Sequence, residues 1–242
     1  MGIPTLVVML VAALAAIGGL ALSEEYRIFL PSLLQGALLT AEIAVLGCIL
    51  AVILGVVAAL ARLYGAAPVR WLATIYVEIF RGTSALVQLF WLFFVLPQFG
   101  ILIDAFVVAV LALGLNVGAY GSEVVRGAIL AVPRGQWEAS VALNMSRAQM
   151  LRRIILPQAF AAMIPPWGNL FIELLKSTAL VSLITLSDLA FRAQQMNQTT
   201  LKTVPIFTLV LLIYLAMSLV ITIGMRILER RASLGLARGR AA

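Results

Sequence analysis

The chain has no histidine, a single cysteine and few charges, with Asp, Glu, Lys and Arg making up 11% of its 242 residues. Without histidine, a Ser-His-Asp triad and a zinc site built on imidazole are both excluded. One cysteine, Cys48 in an apolar run, rules out a disulfide framework and reads as a small buried hydrophobe. The phosphate-cradling GxxxxGK[ST] is absent, so the chain holds no ATP in a P-loop of its own. HExxH, GxSxG, a TVGYG-type filter and an arginine ladder are also missing. An intramembrane enzyme lacks a nucleophile and base here, and nothing implies a cofactor. There is no internal repeat, low-complexity tract or linker.

What fills the chain is apolar surface. Hydrophobic residues make up 63% and the mean hydropathy is +1.11, which places it in the membrane class. Stretches long enough to span a bilayer fall at 4–22, 34–60, 71–96, 105–130, 158–183 and 205–226. The expected fold is all-α, a polytopic membrane protein of about six transmembrane helices. The first stretch lacks a basic n-region, so it reads as a retained helix rather than a signal peptide. MGIPTL fits the start of a myristoylation pattern only loosely.

The net charge of +7 raises nucleic acid as a partner, but the arginines gather at span boundaries, and a topology signal explains them better. On six spans, one side receives Arg62, Arg70, Arg126, Arg134, Arg147, Arg152, Arg153, Arg226, Arg230, Arg231, Arg238 and Arg240. The other receives Arg27, Arg192 and Lys202. This asymmetry puts both termini and the 132–157 segment in the cytoplasm. Outside lie Ser23–Pro31, a turn around Pro97–Asp104, and the polar stretch from Ser187 to Lys202. Arg81 and Lys176 fall within spans.

Ionisable groups inside a span cost about 2.5–3.5 kcal/mol each on insertion scales, so each needs a reason. Glu78/Arg81, Glu123/Arg126 and Glu173/Lys176 share one spacing, an acid followed three residues later by a base on the same helix face. Mutual neutralisation accounts for Glu123/Arg126 near the inner boundary. Around the other two pairs, hydroxyls and glycine favour a polar path. A cavity lined by Arg81, Thr83, Ser84, Gln88, Lys176, Ser177 and Thr178 would hold a carboxylate, with Glu78 or Glu173 for an ammonium. The cargo would be a small zwitterion, bound in passing. Glu42 has no partner on its own helix and is protonated, paired across helices or near water. Gly36, Gly47, Gly55, Gly114 and Gly118 read as close-packing positions. Pro165-Pro166 with Trp167 and Gly168 marks a kink or break.

Between Val132 and Pro157 the sequence PRGQWEASVALNMSRAQMLRRIILP is longer and more helix-prone than a connection requires. Gln136–Leu143 and Arg147–Ile155 read as short helices with apolar residues at Val141, Met145, Leu151 and Ile154/Ile155. Asn144 between them suits a sharp bend, because asparagine tolerates the left-handed region. The pair forms either a ridge for a partner's groove or an amphipathic segment on lipid headgroups.

At these residues the chain resembles the membrane subunit of type I ATP-binding-cassette importers of the polar amino acid (histidine/glutamine-type) family. The motif carrying it is Glu138-Ala139-Ser140, then Asn144, then Ile155-Leu156-Pro157, preceded by Gly135-Gln136. Further matches are Gly36, Thr40, Arg81-Gly82-Thr83, Leu86-Val87-Gln88, Ala119-Tyr120, Glu123, Arg126-Gly127 and Lys176-Ser177-Thr178-Ala179-Leu180. They cover roughly residues 34–226. Asn144 stands where the family has glycine, Ser140 where it has a second alanine, Ser84-Ala85 for Pro-Leu, and Asp188 where glutamate is frequent. The run VQLFWLFFVLPQFGI resembles permeases for ectoine and hydroxyectoine.

The resemblance implies the type I importer transmembrane fold in a bacterial inner membrane. It divides the chain into a first helix with a short external segment (1–33), a transport domain (34–230) and a basic tail (231–242). The implied partners are a cytoplasmic ATPase dimer, a second permease subunit, identical or paralogous, and an external solute-binding protein. Gly135, Gln136, Glu138, Ala139, Ser140, Ala142 and Asn144 would couple to the ATPase. The alternative is a secondary transporter driven by protons or sodium through Glu42, Glu78 or Glu173.

Overall fold

The structure, a computed structural model, describes residues 2–241, with side chains through Ser233; the rest of the expected basic tail lies outside those described side chains. Helix α1 (Ile3–Leu20) leads through the one-turn α2 (Glu24–Arg27) into α3 (Leu30–Tyr64). Helices α4 (Ala67–Gly82) and α5 (Ala85–Phe90) follow, α5 continuing as a π-turn at Trp91–Val95 and a 3-10 turn at Leu96–Phe99. Next come α6 (Ala105–Leu130), α7 (Arg134–Ala142) and α8 (Arg147–Met150). A second π-turn, Leu151–Ile155, joins α8 to α9 (Leu156–Ser177), which ends in a 3-10 turn at Thr178–Ile184. Helices α10 (Leu189–Thr200) and α11 (Thr203–Ala241) complete the fold. Among the described residues there is no β-strand.

Five of these helices are long and apolar enough to cross a membrane, and α4 with α5–Phe99, bent by 106°, supplies the sixth. The expected third span is therefore not a straight helix. The expected fifth span starts early, because the second loop helix runs into it without a break, as one apolar element from Arg147 to Ile184. The polar outer stretch is itself helical, forming α10.

The core is a seam of small residues. Lipid tails are as apolar as leucine, so helices associate by close van der Waals contact, and small side chains allow it. Along α3, Gly36, Thr40, Ala44, Gly47, Ala51, Gly55 and Ala58 are all buried at helical spacing. The facing stretch of α6 buries Ala112, Gly114, Val117, Gly118, Gly121 and Ser122. A Cβ at Gly118 would stand 3.2 Å from the Ala51 carbonyl oxygen and 2.9 Å from the Tyr76 hydroxyl. Trp167 of α9, 6% exposed, fills a notch cut by two glycines. A Cβ at Gly121 would overlap its indole, and one at Gly55 would lie 3.0 Å from it. The glycines read from sequence as packing positions serve that purpose.

Prolines shape the helices in a way the sequence reading missed. Each π-turn ends two residues before a proline, Val95 before Pro97 and Ile155 before Pro157. A proline ring has no N–H and clashes with the carbonyl four residues back, and a widened turn relieves both. The break expected at Pro165-Pro166 does not occur: α9 runs through both prolines to Ser177. Trp167, seated in its notch, pins the helix across the fourth- and third-layer contacts there, and the interruption comes instead at the 3-10 turn from Thr178.

Gly121→Ala should lower the thermal midpoint of the purified permease complex by an amount corresponding to about 1–3 kcal/mol of overpacking. Adding Trp167→Phe to that variant should recover part of the loss, as read by detergent-solubilised thermal unfolding.

Candidate functional site

Two regions gather the polar chemistry: the elbow between α4 and α5, and the loop α7–α8. At the elbow Thr83 (φ −120°, ψ 153°) and Ser84 (φ −69°, ψ 136°) are extended, so the last carbonyls of α4 lose their helical donors. Inside a membrane those groups need partners from the protein. Thr83 Oγ1 donates to the Ile79 carbonyl at 2.7 Å. Gln88 Nε2 donates to Phe80 O at 3.0 Å and Thr83 O at 3.2 Å, and to Thr83 Oγ1 at 2.6 Å. From α6, Asn116 Nδ2 donates to Phe80 O at 2.9 Å, and the Tyr120 hydroxyl to Arg81 O at 3.3 Å. Thr83 and Gln88, expected on the solute path, thus serve the backbone of the break. Asn116 was not singled out from sequence, although a lone amide in an apolar span was the signal for it.

The concave side of the elbow holds a cavity of about 360 Å³ lined by Ile79, Phe80, Thr83, Val87, Gln88, Trp91 and Leu92. It is apolar. Of the polar set expected to share one cavity, only Thr83 and Gln88 line it; Arg81, Ser84, Lys176, Ser177 and Thr178 are not among its walls. Thr178 is buried, with its hydroxyl donating to Leu175 O at 2.7 Å. Ser84 is exposed and Ser177 half-buried. The 3-10 turn after α9 does touch α5, so the two interruptions lie side by side.

The expected charge pairs are redistributed. Glu123 and Arg126 pair as read, with Arg126 Nη2 at 2.7 Å from Glu123 Oε2. Arg81 turns away from Glu78 and meets Glu123 at 3.3 Å, and Arg62 of α3 meets the same oxygen at 2.6 Å. Glu78, Glu173 and Lys176 are exposed, and none has an ion-pair partner among the described residues. Spacing allowed the two corrected pairs, but the carboxylate on α6 gives Arg81 a partner that Glu78 does not match. Glu42 is exposed on α3.

In the loop, Asn144 has φ 53°, the bend expected of it. Met145 N–H bonds Ser140 O and Asn144 N–H bonds Val141 O, the double closure of a Schellman cap with asparagine in the glycine position. Ser146 then starts α8 with a capping box to Gln149. Gly135, Glu138, Ala139, Ala142 and Asn144 are exposed. Ser140 is the exception: it is 2% exposed, and its hydroxyl donates back to Gln136 O at 2.7 Å. Gln158 of α9 donates to Gln136 Oε1 at 3.3 Å. These two residues tack α7 to the membrane domain, while Val141 and Leu143 point outward at 68% and 76% exposure.

A buried polar node, missed from sequence, ties the outer half together. Leu189 N–H donates to Thr40 Oγ1 at 3.2 Å, and Phe191 N–H to Asp188 Oδ1 at 2.9 Å. Gly36 lets α3 approach the Asp188 backbone, where a Cβ would stand at 2.9 Å. Asp188 Oδ2 and the Tyr214 hydroxyl are buried without a partner. Asp188 lies between the spans, at the start of α10. Burial pushes its carboxyl up from 3.8 to about 6, against the backbone N–H groups of Phe191 and Ala190.

Residues 51–234 match the sequence profile of the binding-protein-dependent transport system inner membrane component family. The chain belongs to that family. Members of this transport family with similar sequences include the probable amino-acid ABC transporter permease protein y4tF of Sinorhizobium fredii, 43% identical over 86% of this chain and 90% of the relative. The L-cystine transport system permease protein TcyB of Bacillus subtilis is 41% identical over 84% and 87%. The glutamine transport system permease protein GlnP of Escherichia coli is 36% identical over 84% and 93%. Among solved structures, that of an amino acid ABC transporter with histidines superposes with a TM-score of 0.79 at 35% identity, covering 85% of this chain and 96% of the other. The membrane-subunit resemblance and the all-α transporter fold both hold, and the chain is a transport component of the inner-membrane permease family.

Two predictions follow from the geometry of this permease. Replacing Gln88 and Asn116 together by leucine strips Phe80 O of both donors and should destabilise the complex by about 1–3 kcal/mol, read as a drop in thermal midpoint larger than for either single change. For Asp188, the folded state favours the protonated carboxyl, so its contribution to stability is complete below 3.8 and is lost as pH rises through about 6. Asp188→Asn keeps a capping oxygen without the charge. Its midpoint should equal that of the native protein at the acid end of that window and exceed it at neutral pH.

Proposed function

We propose that this chain is the permease subunit of an ATP-binding-cassette importer that brings a polar amino acid or similar small zwitterion into the cytoplasm. The observation that carries the coupling is the outward face of α7, where Gly135, Glu138, Ala139, Ala142 and Asn144 are exposed while Ser140 and Gln136 anchor its back. A small-residue face with one carboxylate suits insertion into a cleft on a partner ATPase. Relatives named for L-cystine and glutamine support an amino-acid cargo. The VQLFWLFFVLPQFGI run keeps ectoine and hydroxyectoine in the set.

In this reading two ATPases close on ATP and move α7. Because α8, the second π-turn and α9 form one continuous element from Arg147 to Ile184, displacement of the loop passes to the break at Thr178 inside the membrane. A second permease subunit faces this one across the path, and an external binding protein delivers the solute. Solute leaves when the contacts that favour it in one state weaken in the other. The arginine asymmetry puts both termini in the cytoplasm. Residues 34–230 form the transport domain, preceded by a separate first helix and followed by the basic tail. No chemistry is done on the cargo.

The test is uptake by proteoliposomes holding the permease, its ATPase and its binding protein, against labelled glutamine, arginine, cystine, ectoine and hydroxyectoine. Uptake of at least one should require ATP and survive an uncoupler. Glu138→Lys and Ala139→Trp should reduce it by an order of magnitude with membrane insertion intact. Accumulation by the chain alone, or uptake that collapses with the uncoupler while ATP stays high, would establish a gradient-driven carrier instead.

A further inference from the structure

We propose that Arg81 and Arg126 form a receptor for the solute's carboxylate, with Glu123 as a built-in counter-ion that gives up Arg81 when that carboxylate arrives; this rests on the zwitterion reading above.

One carboxylate serves three guanidinium groups. Glu123 Oε1 accepts from Arg62 Nη1 at 2.6 Å and Arg81 Nη1 at 3.3 Å, while Oε2 accepts from Arg126 Nε at 2.9 Å and Nη2 at 2.7 Å. Its acceptor sites are thereby filled, and the cluster keeps two positive charges with no anion among the described residues. Such an excess on a span is costly unless an anion joins it. The three contacts are unequal. Arg62 is the most sheltered, at 15% side-chain exposure, and Arg126 grips through a two-pronged bond. Arg81 has the longest contact and is 37% exposed.

Of the N–H groups on the Arg81 guanidinium, only Nη1 is engaged. Its plane is steadied by the Tyr120 ring, whose centroid lies 5.5 Å away. The remaining donors are free for a forked bond to a carboxylate. One helical turn earlier on α4 stands Glu78, exposed and without an ion-pair partner among the described residues. Residues three apart on a helix are neighbours, so an ammonium at Glu78 and a carboxylate at Arg81 are within reach of one zwitterion. Arg81 also adjoins the interrupted backbone at Gly82–Ser84, where the span turns by 106°. A phospholipid phosphate shares the chemistry of a carboxylate, and the experiment separates the two.

The permease–ATPase complex is placed in nanodiscs and treated with phenylglyoxal, which modifies free guanidinium groups, and labelling at Arg62, Arg81 and Arg126 is read by mass spectrometry. L-glutamine and ectoine are the probes, each compared with its carboxamide. The expected result is several-fold protection of Arg81 by at least one probe, little by its carboxamide, and no change at Arg62. Equal protection by acid and amide, or none, overturns the site; if the vesicles of the uptake assay still accumulate the probe, the transport function stands without it. Protection by phosphatidylglycerol nanodiscs over phosphatidylcholine ones, with nothing added by the probes, overturns it in favour of lipid. Glu123→Gln removes the competing carboxylate, so protection at Arg81 should need several-fold less probe; unchanged or weaker protection in an assembled complex overturns the counter-ion role.

Discussion

The approach of α3 to α6 is the constraint on which the rest depends. Lipid offers no hydrophobic drive for helices to associate, so the pair is held by contact between backbones that small residues let come close. Gly47, Ala51 and Gly55 on one side and Gly114, Gly118 and Gly121 on the other make that contact, and Trp167 seals it from α9. The face of α6 that emerges beyond this seam carries Asn116, Tyr120, Glu123 and Arg126. Every group on α6 that reaches the broken end of α4 is therefore placed by glycines that touch neither the solute nor the ATPase.

The elbow shows how a membrane protein interrupts a span. Four carbonyls lose helical partners, and each receives a side-chain donor, from Thr83 and Gln88 locally and from Asn116 and Tyr120 across the interface. Local sequence made the break visible through Gly82, Thr83 and Ser84. It could not show who would repair it, since two of the four repairs come from a helix some thirty residues further on. The same limit explains Glu78 and Arg81. Spacing of three residues permits a pair, but whether it forms is decided by what the neighbouring helix presents, and α6 presents Glu123.

The loop was the most legible region because its determinants are local. An asparagine between two short helical patterns specifies a left-handed residue, and Asn144 adopts it at φ 53°. Ser146 and Gln149 spell a capping box that was there to be read and was not. The side on which Ser140 falls was not legible, since it depends on Gln136 meeting Gln158 of α9. Asp188 was visible only as a departure from a common glutamate. Its burial depends on Gly36 and Thr40, which lie about 150 positions earlier in the chain.

The two widened turns have a bearing on how this chain tolerates insertion and deletion. Each accommodates one residue beyond an ordinary helical turn, immediately ahead of Pro97 or Pro157. Removing a single residue there would restore regular winding and rotate everything downstream by about 100°. For the segment beyond Pro157, that rotation swings Trp167 out of its glycine notch while leaving composition and hydropathy nearly untouched. Phase along the helix, more than apolarity, is what the stretch from Leu151 to Ile155 encodes.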